Sequence, residues 1–388
     1  MSDTDHLLPA ADPLTGFGDT PIPRVGRWSP DVLGTGFQAR LMQLLPDEEG
    51  EVVATLVRHV AQDDPHLLAG TPSRPRFRAL YIHGWNDYFF HREMARQIAL
   101  AGGEFFALDL RKYGRSWRAN QTFGWVTDLK TYDEDIEEAL AIMGTDLPLV
   151  LMAHSTGGLT AALWAHRHRD QLAGLWLNSP WLELQTSSLM RYPTQQVVEL
   201  IGGREPRRVL PTGGNDFYST SLSGWRQEEG PLPEEWQEFA TDPSLAGWEI
   251  NPVWKNTGRV TLAGWLAAVT AGHLQVAEGL NITAPVFTAA STKTFTGKVW
   301  DDTVRASDTV LDADVVAERA ARLGSRVWVE RLPGVHDLAL SIPPVRRQLW
   351  SATLRWLATC VDFPAGMELA REDARRLPSP EDVQLAPR

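Results

Sequence analysis

Ser155, Asp308 and His336 are the residue types that together carry out nucleophilic acyl transfer. A serine hydroxyl is a poor nucleophile until a base removes its proton, and the base, usually histidine, needs a carboxylate to fix its tautomer and orientation. Ser155 lies in Ala153-His154-Ser155-Thr156-Gly157, after the apolar run Leu149-Val150-Leu151-Met152 and before Gly158 and a helical pattern. The spacing predicts a buried strand that turns sharply into a helix and lifts one hydroxyl above the sheet, a nucleophile elbow. Small residues two before and two after the serine allow the close backbone approach such a turn requires. Here they are Ala153 and Gly157, so alanine replaces the usual first glycine of G-x-S-x-G, and Gly158 leaves room where helix meets strand.

The base must follow the serine in the chain if the elbow reading holds. His336, in Leu332-Pro333-Gly334-Val335-His336-Asp337, follows a predicted strand and is the choice among 10 histidines. His166 and His168 fall on a helix with a solvated face, and His59, His66 and His91 at element ends. His154 is expected to point away from Ser155 as a packed neighbour. His273 is the rival, on a helix able to lower it into the site. For the acid, Ser291-Thr292-Lys293-Thr294 contains no carboxylate, and the next acids are Asp301, Asp302, Asp308, Asp312 and Asp314. Asp308 is preferred because it precedes a helix that Asp312 or Asp314 would cap, and Asp312 is the alternative. The oxyanion needs backbone N–H donors: Thr156, next after the serine, and Trp85, in the permissive turn His83-Gly84-Trp85.

Those residues have to be delivered by a regular scaffold. Phe37–Leu45 and Glu51–Val60 flank a turn and read as an antiparallel hairpin. Strand and helix then alternate: Phe77–Ile82, Phe90–Ala101, Glu104–Leu110, Thr131–Met143, Leu149–Met152, Gly158–Arg169 and Leu172–Asn178. Such alternation implies parallel strands covered on both faces. The rhythm breaks between Trp181 and Leu280, apart from a helix expected at Val260–Ala277, and resumes with Pro285–Ala290, Asp314–Leu323, Val327–Leu332 and Val345–Thr359. The implied organisation is an N-terminal arm (1–35), a core (36–180 and 284–362), a cap insertion (181–283) and a C-terminal tail (363–388).

Composition narrows the partners. The 388 residues are 43% hydrophobic and 22% charged, as in a soluble globular protein, and the net charge of -12 offers no footprint for nucleic acid. The acidic start Met1-Ser2-Asp3-Thr4-Asp5 does not resemble a secretory signal, and no apolar run reaches membrane-spanning length, so a cytoplasmic protein without an integral membrane segment is expected. Cys360, the single cysteine, excludes an intramolecular disulfide and any cysteine metal cluster. Serine-based acyl transfer needs no metal or other cofactor. Oligomeric state has no signature in the sequence.

Taken in order, His83-Gly84-Trp85, Asp109-Leu110-Arg111-Lys112-Tyr113-Gly114-Arg115-Ser116, Ala153–Gly158, Ser307-Asp308-Thr309-Val310 and Gly334-Val335-His336-Asp337 resemble the α/β-hydrolase superfamily. The D-x-R-x-Y-G-x-S segment is similar to that of its monoacylglycerol lipase, lysophospholipase and serine aminopeptidase (S33-like) branch. The resemblance implies an α/β fold with an eight-stranded, mostly parallel sheet, helices on both faces and an inserted cap. It also implies a serine hydrolase triad, with Asp109 and Arg115 bracing a loop. A small-molecule ester is the expected substrate; an amide or peptide gives the same acyl-enzyme, and a non-catalytic binding protein is the third possibility. An aspartate nucleophile, as in epoxide hydrolases and dehalogenases, is absent. Trp181, Trp225, Trp236, Trp248, Trp254 and Trp265 enrich the insertion, where aromatic walls suit an acyl chain or ring. Trp265, with Leu266 and Val269 on one helical face, is the substrate-binding candidate.

Overall fold

The apolar run before Ser155 becomes a central strand because its neighbours on both sides are parallel strands and helices cover both faces. The computed structural model describes residues 23–67, 71–72, 74–184, 188–211, 216–256, 258–361 and 363. Its strands are β1 (Ser29–Pro30), β2 (Phe37–Asp47), β3 (Gly50–His59), β4 (Phe77–Ile82), β5 (Gly103–Asp109), β6 (Leu149–His154), β7 (Gly174–Asn178), β8 (Val209–Leu210), β9 (Thr261–Leu262), β10 (Val286–Ser291) and β11 (Val327–Leu332). Nine form one sheet in the order β1-β2-β3-β5-β4-β6-β7-β10-β11. The pairs from β5 to β11 are parallel, whereas β1, β2 and β3 join antiparallel at one side.

The ninth strand, against an expected eight, is the two-residue β1, which pairs Ser29 with Ala39 and Pro30 with Gln38 at the sheet edge. Proline is tolerated there because an edge strand can leave one side of its backbone unpaired. The remainder of the N-terminal arm as far as residue 22, and the tail beyond residue 363, lie outside the described residues.

The helices are α1 (Arg92–Leu100), α2 (Tyr132–Met143), α3 (Ser155–Arg167), α4 (Ser188–Arg204), α5 (Phe217–Leu222), α6 (Pro243–Ala246), α7 (Ala263–Glu278), α8 (Ala313–Ala320) and α9 (Pro343–Cys360). On one face of the sheet, Leu80, Ile82, Leu151 and Ala153 pack with Ile136 and Ala139 of α2, Leu159 and Leu163 of α3, and Val269 of α7. On the other, Ala79, Tyr81, Val150, Met152 and Trp176 pack with Met94 and Ile98 of α1 and Leu349 and Trp356 of α9. Successive residues of β4 and β6 thus alternate face by face, as period-two strands must.

Between β7 and β10 the chain leaves the sheet through α4, β8, α5, α6, β9 and α7. The helix expected from Val260 begins instead at Ala263, because Thr261 and Leu262 pair with Leu210 and Val209. Helix α7 packs on α4 and on α3. Among the described residues, no helix is long and apolar enough to cross a membrane.

Candidate active site

Ser155 has a φ of 52° at the junction of β6 and α3. A left-handed backbone at a side chain that is neither glycine nor asparagine costs on the order of 1–3 kcal/mol and is held only by its surroundings. Those surroundings are tight. A Cβ on Gly157 would collide with the His83 carbonyl oxygen and lie 2.8 Å from that of Ile82, and one on Gly158 would lie 2.6 Å from Pro180 Cβ. Ala153 is fully buried, its methyl absorbed in the core. On the far side of the turn, the Trp181 N–H donates to the Ser155 carbonyl at 2.9 Å.

The structure brings Ser155, His336 and Asp308 into one line: His336 Nε2 lies 3.0 Å from Ser155 Oγ, and His336 Nδ1 2.8 Å from Asp308 Oδ2. All three are buried. With Nδ1–H donating to the carboxylate, Nε2 presents a lone pair to the Ser155 hydroxyl, the arrangement in which an imidazole can accept a proton. Asp308 reaches the site because a bridge between Thr294 and Asp308 ties its loop back to the end of β10. Its second oxygen, Oδ1, accepts the N–H groups of Val310 and Leu311, both at 2.8 Å, which fix the carboxylate.

Asp312 instead caps α8, accepting from the N–H groups of Asp314 and Val315. His273, the rival base, donates through Nε2 to the Trp181 carbonyl at 2.9 Å, and burial pushes its pKa down to about 4. Both therefore have structural partners and neither touches Ser155.

Thr156 occupies the first turn of α3, where N–H groups have no partner within the helix and the helix dipole favours developing negative charge. Facing it across the elbow is the turn after β4: a Cβ on Gly84 would lie 2.9 Å from Ser155 Cβ. His83 braces that turn, with Nδ1–H donating to the Gly84 carbonyl at 2.7 Å and Nε2 accepting from Leu110 N–H at 3.1 Å. Burial lowers its pKa, in keeping with this neutral tautomer.

Asp109 and Arg115 lie behind the turn. Asp109 accepts from the N–H groups of Phe89 and Arg115, and the Arg115 guanidinium bridges Asp109 to Asp31 at 2.7 Å each.

Of the six tryptophans expected to matter, Trp181 and Trp265 form a row with Trp85, at ring-centroid separations of 6.2 Å (Trp181–Trp265) and 5.6 Å (Trp265–Trp85). Trp265 is 5% exposed and belongs to the core, while Trp85 and Trp181 are half-buried. Trp254 packs on Tyr88, Trp248 on Phe90, and Trp225 on Trp236.

Sequence reasoning missed a group of charged and polar residues beside the triad. His154 does not simply point away: its ring lies 4.8 Å from that of His336. Around it are Asp87, His91, Asp337 and, from the segment between β7 and β10, Lys255 and Tyr218. Asp337, adjacent to His336 and buried, was the one signal available in the sequence. Among the described residues, no group of three or more histidine, cysteine, aspartate or glutamate side chains is arranged to hold a metal.

The same arrangement of strands and helices recurs in solved structures. A soluble variant of monoglyceride lipase from Saccharomyces cerevisiae, in complex with a substrate analog, superposes with a TM-score of 0.55 over 82% of this chain and 95% of that one, at 16% identity. A thermostable carboxyl esterase from Bacillus coagulans in complex with glycerol gives 0.53 over 84% and 99%, also at 16% identity. The chain has the α/β-hydrolase fold. Within that fold, residues 73–228 match the family model described as serine aminopeptidase, S33. The chain is 26% identical over 167 residues to the monoglyceride lipase of Saccharomyces cerevisiae and 30% identical over 115 residues to phospholipase YtpA of Bacillus subtilis. These matches cover 41% and 29% of this chain, and 52% and 43% of the relatives. The branch that the motifs resemble is thus the one to which the family model and these relatives point.

Proposed function

We propose that this protein of α/β-hydrolase fold is a serine hydrolase that cleaves carboxylic esters with apolar, lipid-like acyl groups through an acyl-enzyme. The observation that carries the reading is the unbroken line from Ser155 Oγ through His336 to Asp308, at 3.0 and 2.8 Å, on an elbow with a positive φ. In the proposed mechanism, Ser155 Oγ attacks the ester carbonyl while His336 Nε2 takes its proton, and the carbonyl π electrons move onto oxygen. The N–H groups of Thr156 and Trp85 receive that oxyanion, each contributing about 10²–10³-fold in rate. Collapse expels the alcohol, which takes the proton back from His336. Water, deprotonated by His336, then attacks the acyl-enzyme, and the carboxylic acid leaves as Ser155 regains its proton. Asp308 stabilises the imidazolium in both halves without itself becoming protonated.

An apolar acyl group is favoured by the row Trp85, Trp265 and Trp181, which begins at the proposed oxyanion turn and runs to the residue that hydrogen-bonds Ser155. In this reading residues 181–283 form a cap on a core of 36–180 and 284–362, and the enzyme works in the cytosol without a cofactor. The relatives named as lipase and phospholipase support the same chemistry. Labelling by a fluorophosphonate probe, followed by turnover of 4-nitrophenyl esters from acetate to palmitate and of matching anilides, tests it. Ser155→Ala should abolish labelling and turnover while the protein remains folded. Full activity in that variant would overturn the reading.

A further inference from the structure

Behind the ring of His336 lies a buried polar compartment that the proposed mechanism does not use. His154, at the end of β6, is its centre: both ring nitrogens are buried and neither has a hydrogen-bond partner. Two carboxylates flank His154 Nδ1, Asp337 Oδ2 at 3.8 Å and Asp87 Oδ2 at 3.9 Å. His91 Nε2 stands 3.3 Å from Asp337 Oδ2. From the insertion comes Lys255, whose Nζ is 2.9 Å from Asp87 Oδ2 and 5.2 Å from the Tyr218 ring, and Tyr218 in turn meets the His336 ring edge-on at 5.3 Å. Tyr81 of β4, His83 after it, Asp109 at the end of β5 and Asp308 beyond His336 are further titratable groups acting on this space.

The charge arrangement has a consequence for His336, given that it serves as the base of the reading above. Accepting the Ser155 proton makes it an imidazolium, and a second imidazolium in ring contact would oppose that step. Asp87 and Asp337 pull His154 towards protonation, while burial and the neighbouring Lys255 pull the other way. Burial dominates in lowering the pKa of His154 well below its ordinary value, with the charges of His336 and Lys255 adding to it.

We propose that Lys255 is a positioning residue: by pairing with Asp87 it adds to burial in keeping His154 uncharged against His336, and so ties the proton chemistry of the base to the seating of the insertion. The seat is specific. The Asn86 amide donates to the Asn256 carbonyl at 2.8 Å, and Asn256 N–H donates back to Asn86 Oδ1 at 3.2 Å, so the residues on either side of the Asp87–Lys255 pair hold loop and insertion together.

The test is the acid limb of the kcat/KM profile, read on the best ester of the panel, beside the titration of histidine imidazoles by NMR with His154 assigned through His154→Gln. Lys255→Met leaves Asp87 unpaired, and the limb should move up by roughly one pH unit as His154 titrates at higher pH. Lys255→Arg should keep the wild-type limb, and Asp87→Asn combined with Lys255→Met, which removes both charges, should restore it. A Lys255→Met protein with lower activity but an unmoved limb and an unmoved His154 titration would overturn the inference, as would a double variant displaced as far as the single one. Should no ester be hydrolysed at all, the serine hydrolase reading fails, and the NMR titration still decides the charge state of His154.

Discussion

Gly157 stands against the His83 carbonyl so closely that no side chain fits between them. Helix α3 and the turn that carries Gly84 and Trp85 are thereby locked together at one point, beside Ser155. Backbone atoms cannot swing away as a flexible side chain would, so Gly157→Ala has to separate the two elements. Overpacking of this kind costs about 1–3 kcal/mol, and it displaces the proposed oxyanion donors as well. The expected outcome is a lowered melting temperature together with a loss of fluorophosphonate labelling larger than the loss of stability accounts for. Ala153→Gly, which only restores the commoner residue, should label normally.

Asp308 and Asp312 lie four residues apart with different partners. Asp308→Asn should reduce turnover by something approaching ten-thousandfold, because the amide can donate to His336 Nδ1 and so impose the wrong tautomer. Asp312→Asn keeps a good helix cap and should change stability and turnover little. Steady-state rates of the two variants on one ester check this, and the reverse order would move the acid to Asp312.

Trp265→Ala should lower stability by about 3–5 kcal/mol, since the ring is 5% exposed and lies within the core. The space it leaves opens between Trp85 and Trp181, so longer acyl chains should gain relative to short ones. A melt and a chain-length profile of the same variant separate the two effects. An unchanged profile with a lowered melt would assign Trp265 to packing alone.

His273 supplies a pH dependence. Its pKa falls from 6.5 to about 4 in the folded protein because burial disfavours the charged form. A depressed folded value means that the unfolded chain binds the extra proton first. The resulting stability is fully present above about pH 6.5 and is lost as the pH falls towards 4, by up to roughly 3 kcal/mol. His273→Gln can still donate to the Trp181 carbonyl and does not titrate. Denaturant melts between pH 4 and 7 should therefore show a flatter acid-side decline in this variant.

The elbow was legible in the sequence because everything it needs is local: an apolar strand, a serine between small residues, and a helix, all within about 20 residues of chain. Chain order brought His336 and Asp308 within reach of inference, as both follow predicted strands that must end on the same side of a parallel sheet. Asp312 could be set apart as a cap for the same reason, from the helix that begins beside it. What lies around His154 was not legible. Asp87, Lys255 and Asp337 come from three distant parts of the chain, and no period or spacing links them. They meet because β4, β6 and β11 end at one edge of the sheet and the segment after α6 folds back over it. The ninth strand is of the same kind, since Ser29 and Pro30 carry no strand pattern and are strand only because β2 offers them an open edge. Local sequence determined where the proposed nucleophile Ser155 stands, whereas the charges that surround His336 were decided by which strand ends and loops the tertiary structure places side by side, since Coulomb and burial energies depend on distance in space rather than along the chain.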